Sequence, residues 1–211
     1  SEPINVFDYN DKFDTDFRLK SLKPFQRVKV IGVADNQIFT DELTTELNVM
    51  NNLVQGDISI DVLKLAVVER YGKNNVGVAF VRGFSLFDGA IASSVAHDSH
   101  NVVVIGTNDR DMASAVNYLK KIGGGFVVFY EGKVVADLRL PIAGLMSDQP
   151  ADVVASFLEK VDNEARIMGC KFNSPFMNLA SLSSLQTPKL RLSDKGLFDA
   201  ESVAFTNLFL D

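Results

Sequence analysis

Both histidines of the chain fall in one short stretch, "AHDSHN", where His97 and His100 flank Asp98 and Ser99 and Asn101 follows. Imidazole, carboxylate, hydroxyl and carboxamide within five residues are the groups that move protons, hold metals or hydrogen-bond a polar ligand near neutral pH. His97, Asp98 and His100 have the donor types of a partial metal site, but a closed zinc or manganese site takes three or more protein ligands. The structural alternative is a loop in which Asp98 and Ser99 bond to backbone amides and Asn101 caps a turn. Ser93 and Ser94, just upstream in "IASSVA", either extend the same polar wall or are small residues that permit close packing.

Three other places carry chemistry-bearing types. "GLMSDQP" puts Met146, Ser147 and Asp148 before an apolar periodic run, and Ser, Asp and Pro there suit a helix N-terminus. Gly123, Gly124 and Gly125 have the composition of a phosphate loop, yet they follow a helical pattern rather than open one, so a helix C-cap and turn is expected. Cys170 is the one cysteine, with no histidine near it in the sequence, and reads as a small apolar filler.

These groups must be held by something with a core. The chain has 211 residues, 46% of them hydrophobic and 23% charged, which is the composition of a globular chain able to bury one large domain or two small ones. A net charge of −6 with scattered Lys and Arg argues against a nucleic-acid groove or an anionic membrane surface. No apolar run approaches the roughly 20 residues that cross a bilayer, and the charged opening "SEPINVFDYN" is unlike a signal segment, so a cytoplasmic address is the expectation.

Periodicity predicts the scaffold. Residues 1–26 are charged and aperiodic and read as an extended lead-in from an upstream domain; residues 27–211 read as one α+β domain. "QRVKVIGVA" alternates as a strand, "NQIFTDEL" as a second short one, and "NVMNNLVQGD" reads as a loop. Val62 to Arg82 and Phe126 to Leu138 read as hairpins around "YGKNN" and Glu131-Gly132. "NDRDMASAVNYLKKIGG" is a helix capped by Thr107 or Asn108 and by Gly123; "SDQPADVVASFLEKVDNEARIMG" is a second, led by Ser147 or Asp148. Phe172, Phe176 and Met177 are expected in the core. The histidine cluster then lies between two apolar segments, Ala90–Ala96 and "NVVVIGT". A mostly antiparallel sheet packed with two main helices, and no (β/α)₈ barrel, is the predicted architecture.

In order and spacing, "VKVIGVADNQIFT", "LKLAVVERYG", "GAIASSVAHDSHNVVVIGTNDRDMASAVN", "GGFVV", "LPIAGLMSDQP", "SPFMNL" and "LSDKGLFD" resemble the C-terminal region of adenine deaminases of the amidohydrolase superfamily. The resemblance covers most of the chain. It implies hydrolysis of adenine to hypoxanthine and ammonia by a metal-bound hydroxide, with a manganese or iron pair held in a (β/α)₈ barrel by a His-x-His pair and further ligands. This chain has no His-x-His and too few residues for eight βα units beside the matched region. The resemblance therefore implies the C-terminal portion of such an enzyme, partnered by the barrel domain of the same enzyme, acting on adenine, with homo-oligomerisation open. No metal is expected on this chain, and alone it is expected to be inactive. On this reading His97, Asp98, Ser99, His100 and Asn101, with Ser93 and Ser94, close the purine pocket; Asp98 and Ser99 fix the imidazoles, and Met146, Ser147 and Asp148 reach the same pocket. The alternative is a stand-alone, non-catalytic ligand-binding or assembly domain.

Overall fold

The two hairpins read from periodicity form the middle and one end of a single nine-stranded sheet in a computed structural model that describes residues 6–211. Its strands are β1 (Phe25–Gly32), β2 (Asp41–Met50), β3 (Leu53–Val54), β4 (Val62–Val68), β5 (Val76–Arg82), β6 (Ala90–Ser93), β7 (Val102–Gly106), β8 (Gly125–Tyr130) and β9 (Lys133–Arg139). They lie in the order β3-β2-β1-β5-β4-β7-β6-β8-β9. Every neighbouring pair is antiparallel except β1 with β5, where Val30 to Gly32 run parallel to Phe80 to Arg82. The class is α+β, as expected, and no closed barrel forms among the described residues.

The strand period of two divides the core between the sheet's faces. On β4, whose seven residues are all buried, Leu63, Leu65 and Val67 point to one face and Ala66 and Val68 to the other. The second face is covered by helix α1 (Asp109–Ile122) through Met112, Ala115, Val116 and Leu119. Asn108 caps it, its side chain accepting from the Asp111 N–H at 2.8 Å, and Gly123 ends it at φ 81°, a left-handed turn that glycine takes without a Cβ clash. The first face is covered by helix α2 (Ala151–Ile167), helix α3 (Pro175–Ser181) and a small sheet of β10 (Leu190–Ser193), β11 (Gly196–Asp199) and β12 (Ala204–Phe205). Neither α3 nor the small sheet was expected from periodicity; each is too short to show one.

Several expectations change. The stretch read as a short strand and loop is one ten-residue strand, β2, turning through Asn51 and Asn52 at φ 52° and 61° into β3. Two consecutive left-handed residues are the tight hairpin turn that asparagine tolerates. Neither Ser147 nor Asp148 caps α2: Pro150 is its N-cap, with no side-chain bond, and Ser147 Oγ instead accepts from the Gln149 N–H at 3.1 Å. Met177 is 53% exposed, whereas Phe172 and Phe176 are buried as expected. Of the aperiodic opening, residues 1–5 lie outside the described residues; Phe7, Tyr9 and Phe17 are buried beside α1, with the Tyr9 hydroxyl donating to the Val116 carbonyl at 2.8 Å. Burial pushes that phenol's pKa upward.

Candidate functional site

The histidine loop joins β6 to β7 and is tightly closed by its own main chain. The His100 N–H donates to the Ala96 carbonyl at 2.9 Å and the Ser99 N–H to the His97 carbonyl at 3.0 Å. Asp98 and His100 take left-handed φ values of 71° and 51°. Beneath the loop lies Arg70, 1% exposed. Its Nε donates to the His100 carbonyl and its Nη1 to the Ala143 carbonyl at 2.9 Å, while the guanidinium stacks 4.7 Å from the Phe7 ring centre and 5.2 Å from that of Tyr71. The Tyr71 hydroxyl donates to the Ser99 carbonyl at 3.2 Å. The loop therefore rests on a buried cation, a common way to satisfy carbonyls that no ladder reaches.

The far side of the loop leans on α3. The His97 N–H donates to the Ala180 carbonyl at 3.2 Å, and the Ser184 hydroxyl donates to Asp98 Oδ2 at 3.0 Å. The exposed His97 side chain lines a cleft of about 470 Å³. The opposite walls are the loop Asp35, Asn36, Gln37 and Ile38, and the α3 side with Ser174, Met177, Asn178, Ser181, Ser184 and Thr187. Three stretches far apart in the sequence, "ADNQIF", "AHDSHN" and "SPFMNL", meet there.

Arg191, on β10, fastens these walls together. It is fully buried, and its guanidinium donates to the carbonyls of Thr187 at 2.8 Å, Ser181 and Pro188 at 3.1 Å, and Ile38. Without a carboxylate partner among the described residues, burial alone lowers its pKa to about 10. Sequence reasoning missed this residue. Alternation in "LRLS" puts Leu190 and Leu192 on the core face and Arg191 on the opposite one, so the pattern reads this arginine as outward.

Not all of the anticipated polar wall faces the cleft. Ser93 Oγ donates to the Val95 carbonyl at 2.8 Å and accepts from its N–H at 2.9 Å. Ser94 Oγ accepts from the Gly125 N–H at 2.7 Å and donates to the Gly144 carbonyl at 2.6 Å. Both serines are fully buried and used up as loop staples. Asp98 and Ser99 do not hold the imidazoles: the Asp98 carboxylate takes Ser184, and Ser99 Oγ accepts from the Asn101 N–H at 3.3 Å. His100 Nδ1 and Asn101 Oδ1 are buried without a hydrogen-bond partner among the described residues. Ser147 and Asp148 line a different groove, of about 530 Å³, beside Val153, Val154 and Phe157 of α2, and Met146 is 58% exposed with its main chain paired to Ile142. Among the described residues no three His, Cys, Asp or Glu side chains gather as metal ligands. A dinuclear metal site does not fit the donors present here. Cys170 is 4% exposed, and burial pushes its thiol up to about 11, the opposite of a reactive thiolate.

Residues 37–204 match the model of the adenine deaminase C-terminal domain family. The chain is 46% identical over 180 residues to the adenine deaminase of Brucella anthropi, a match covering 85% of this chain and 32% of that protein. It is 42% identical over 192 residues to the adenine deaminase of Dehalococcoides mccartyi, covering 90% of this chain and 33% of the relative. For the adenine deaminase of Methanothermobacter thermautotrophicus the identity is 45% over 181 residues, covering 86% and 34%. The chain thus spans about a third of the length of the curated relatives it matches.

Proposed function

The chain belongs to the adenine deaminase C-terminal domain family, and from that premise we propose that it is the C-terminal portion of an enzyme hydrolysing adenine to hypoxanthine and ammonia, with the His97 cleft closing the purine pocket of a catalytic barrel formed by the rest of the polypeptide. One observation carries the proposal: the stretches "ADNQIF", "AHDSHN" and "SPFMNL" converge on a single cleft that has polar side chains in its lining and in which His97 is exposed. Adenine offers ring nitrogens as acceptors and an exocyclic amine as donor. An imidazole, with the carboxamide of Asn178 and the hydroxyls of Ser181 and Ser184 beside it, suits such an edge.

In this reading a metal pair, manganese or iron, would be held by the barrel and would supply an activated water. The chain's own residues orient the purine and exclude bulk water. His97 reaches the substrate side, Asp98 and Ser184 brace the loop that carries it, and Arg70 and Arg191 keep the loop and the facing walls in register.

The test is His97→Ala in the intact enzyme. A fall in kcat/KM of roughly 10- to 1000-fold, the span between losing an orienting contact and losing a transition-state donor, with an unchanged melting temperature, is expected. Wild-type kinetics with a lowered melting temperature would make the cluster structural and overturn the reading.

A further inference from the structure

The outer edge of β2 is paired at both ends and open in the middle. At one end the Thr40 N–H donates to the Pro188 carbonyl at 3.0 Å and the Thr40 carbonyl accepts from the Lys189 N–H at 3.2 Å. At the other, the Asn48 carbonyl accepts from the Gln55 N–H at 3.1 Å and β3 begins. Between them, among the described residues, β2 is bonded only to β1. In an antiparallel pair, opposite residues either both bond to each other or both turn their N–H and C=O away. Lys29 lies opposite Thr44, and its N–H is taken by the Leu208 carbonyl on the far side of β1. Thr44 therefore turns its own N–H and C=O outward, as do Glu42 and Glu46, two residues to either side. Among the described residues no main-chain group takes these three N–H groups or these three carbonyls.

The gap from Thr40 to Asn48 is about 27 Å at the usual rise per residue, room for a strand of five or six residues. Edge strands are ordinarily protected by a bulge, a proline, an inward charge or charged side chains along the edge. β2 has neither a proline nor a register shift against β1, and large apolar side chains lie open at both ends: Phe39 is 58% exposed, Met50 63% and Phe25, opposite Asn48, 51%. Asp41, Glu42 and Glu46 line the edge, with Lys29 pairing only Glu42 at 3.0 Å. Two copies joined edge to edge would bring six carboxylates onto one ladder, an unfavourable pairing. A strand of different charge is called for. The curated relatives extend well beyond the matched region, and the matched region is their C-terminal domain.

We propose that this open edge takes a β-strand from the polypeptide that precedes the domain in the full-length protein, so that the nine-stranded sheet continues into the upstream part. The wall residue Ile38, 65% exposed, lies two residues before the edge begins, so docking here brings the upstream part up to the rim of the His97 cleft. The proposal rests on the reading of this domain as part of a longer chain but needs no purine in the cleft, so kinetics of His97→Ala and the test below fail independently.

Hydrogen exchange read at single residues in the natural full-length protein decides it. The amides of Leu43, Thr45 and Leu47, bonded to β1, are the internal reference. The outward amides of Glu42, Thr44 and Glu46 should exchange at least about 100-fold more slowly than free peptide amides. Thr44→Pro, which removes an N–H that β1 does not use, should release Glu42 and Glu46 while leaving the reference amides protected. Exchange of the outward amides at free-peptide rates beside a protected reference would overturn the proposal. So would protection that disappears on dilution to monomer, which would assign the edge to a second copy. If Thr44→Pro also unprotects the reference amides, the wild-type exchange rates alone decide between slow and free-peptide exchange.

Discussion

Arg70 and His100 are joined through the main chain: the buried guanidinium donates its Nε–H to the His100 carbonyl while its Nη1 holds Ala143 across the loop. The cluster's position thus depends on a residue 30 positions earlier that never reaches the cleft. Arg70→Met, which fills the space but leaves both carbonyls without this donor, should lower unfolding free energy by about 2–4 kcal/mol. Urea denaturation measures this, and a midpoint equal to wild type would show that the loop does not rest on Arg70.

Ser94 makes the same point with a smaller group. Its hydroxyl satisfies the Gly125 N–H and the Gly144 carbonyl in a fully buried site. Ser94→Ala should cost about 1–3 kcal/mol and leave substrate kinetics of the intact enzyme unchanged. A change in KM without a change in stability would restore Ser94 to the pocket wall.

Lys64 and Asp109 form an ion pair at 2.5 Å with side chains only 5% and 16% exposed. Burial raises the Asp109 pKa, and the hydrogen bond and charge of Lys64 oppose that rise. Lys64→Met alone should therefore cost about 3–5 kcal/mol by leaving a carboxylate without its cation, whereas Lys64→Met with Asp109→Asn should recover much of the loss. A double-mutant cycle with no coupling between the two would refute this account.

Asp162 on α2 has a buried Oδ1 with no hydrogen-bond partner among the described residues, and desolvation pushes its carboxyl up to about 6, against the weaker opposing charge of Arg166. From about pH 4 to pH 6 the folded chain keeps a proton that the unfolded chain has lost. Stability contributed by this group therefore falls as pH rises through that window and stays lowered above it. Asp162→Asn should raise stability at about pH 8 by on the order of 1 kcal/mol, a figure discounted for partial solvent access, and make little difference near pH 4. Melting temperatures at the two pH values check the sign.

The isolated chain, dialysed and then supplied with manganese, should release no ammonia from adenine, because two histidines three residues apart do not provide the ligands that the hydrolysis needs. Stoichiometric bound metal together with turnover would place a catalytic centre within these 211 residues.

The sequence by itself determined the elements whose signals are local. Asn108, the acidic first turn and Gly123 bound α1 because caps act within a few residues, and the alternation around "YGKNN" and Glu131-Gly132 set the two hairpins because their turns close on near neighbours. It also placed the histidines in the turn between β6 and β7. What the tertiary structure alone decided is which polar groups share a space. Ser94 stands one residue beyond β6 yet is spent on Gly125 and Gly144, and Ser147 and Asp148 lie by a separate groove. The residues that line the cleft with His97, on the 35–38 loop and α3, are tied to one another by Arg191, whose four carbonyl bonds span from Ile38 to Pro188. A buried cation chooses its acceptors by where the folded chain leaves carbonyls outside any ladder, and that is a property of packing that no spacing in the sequence records.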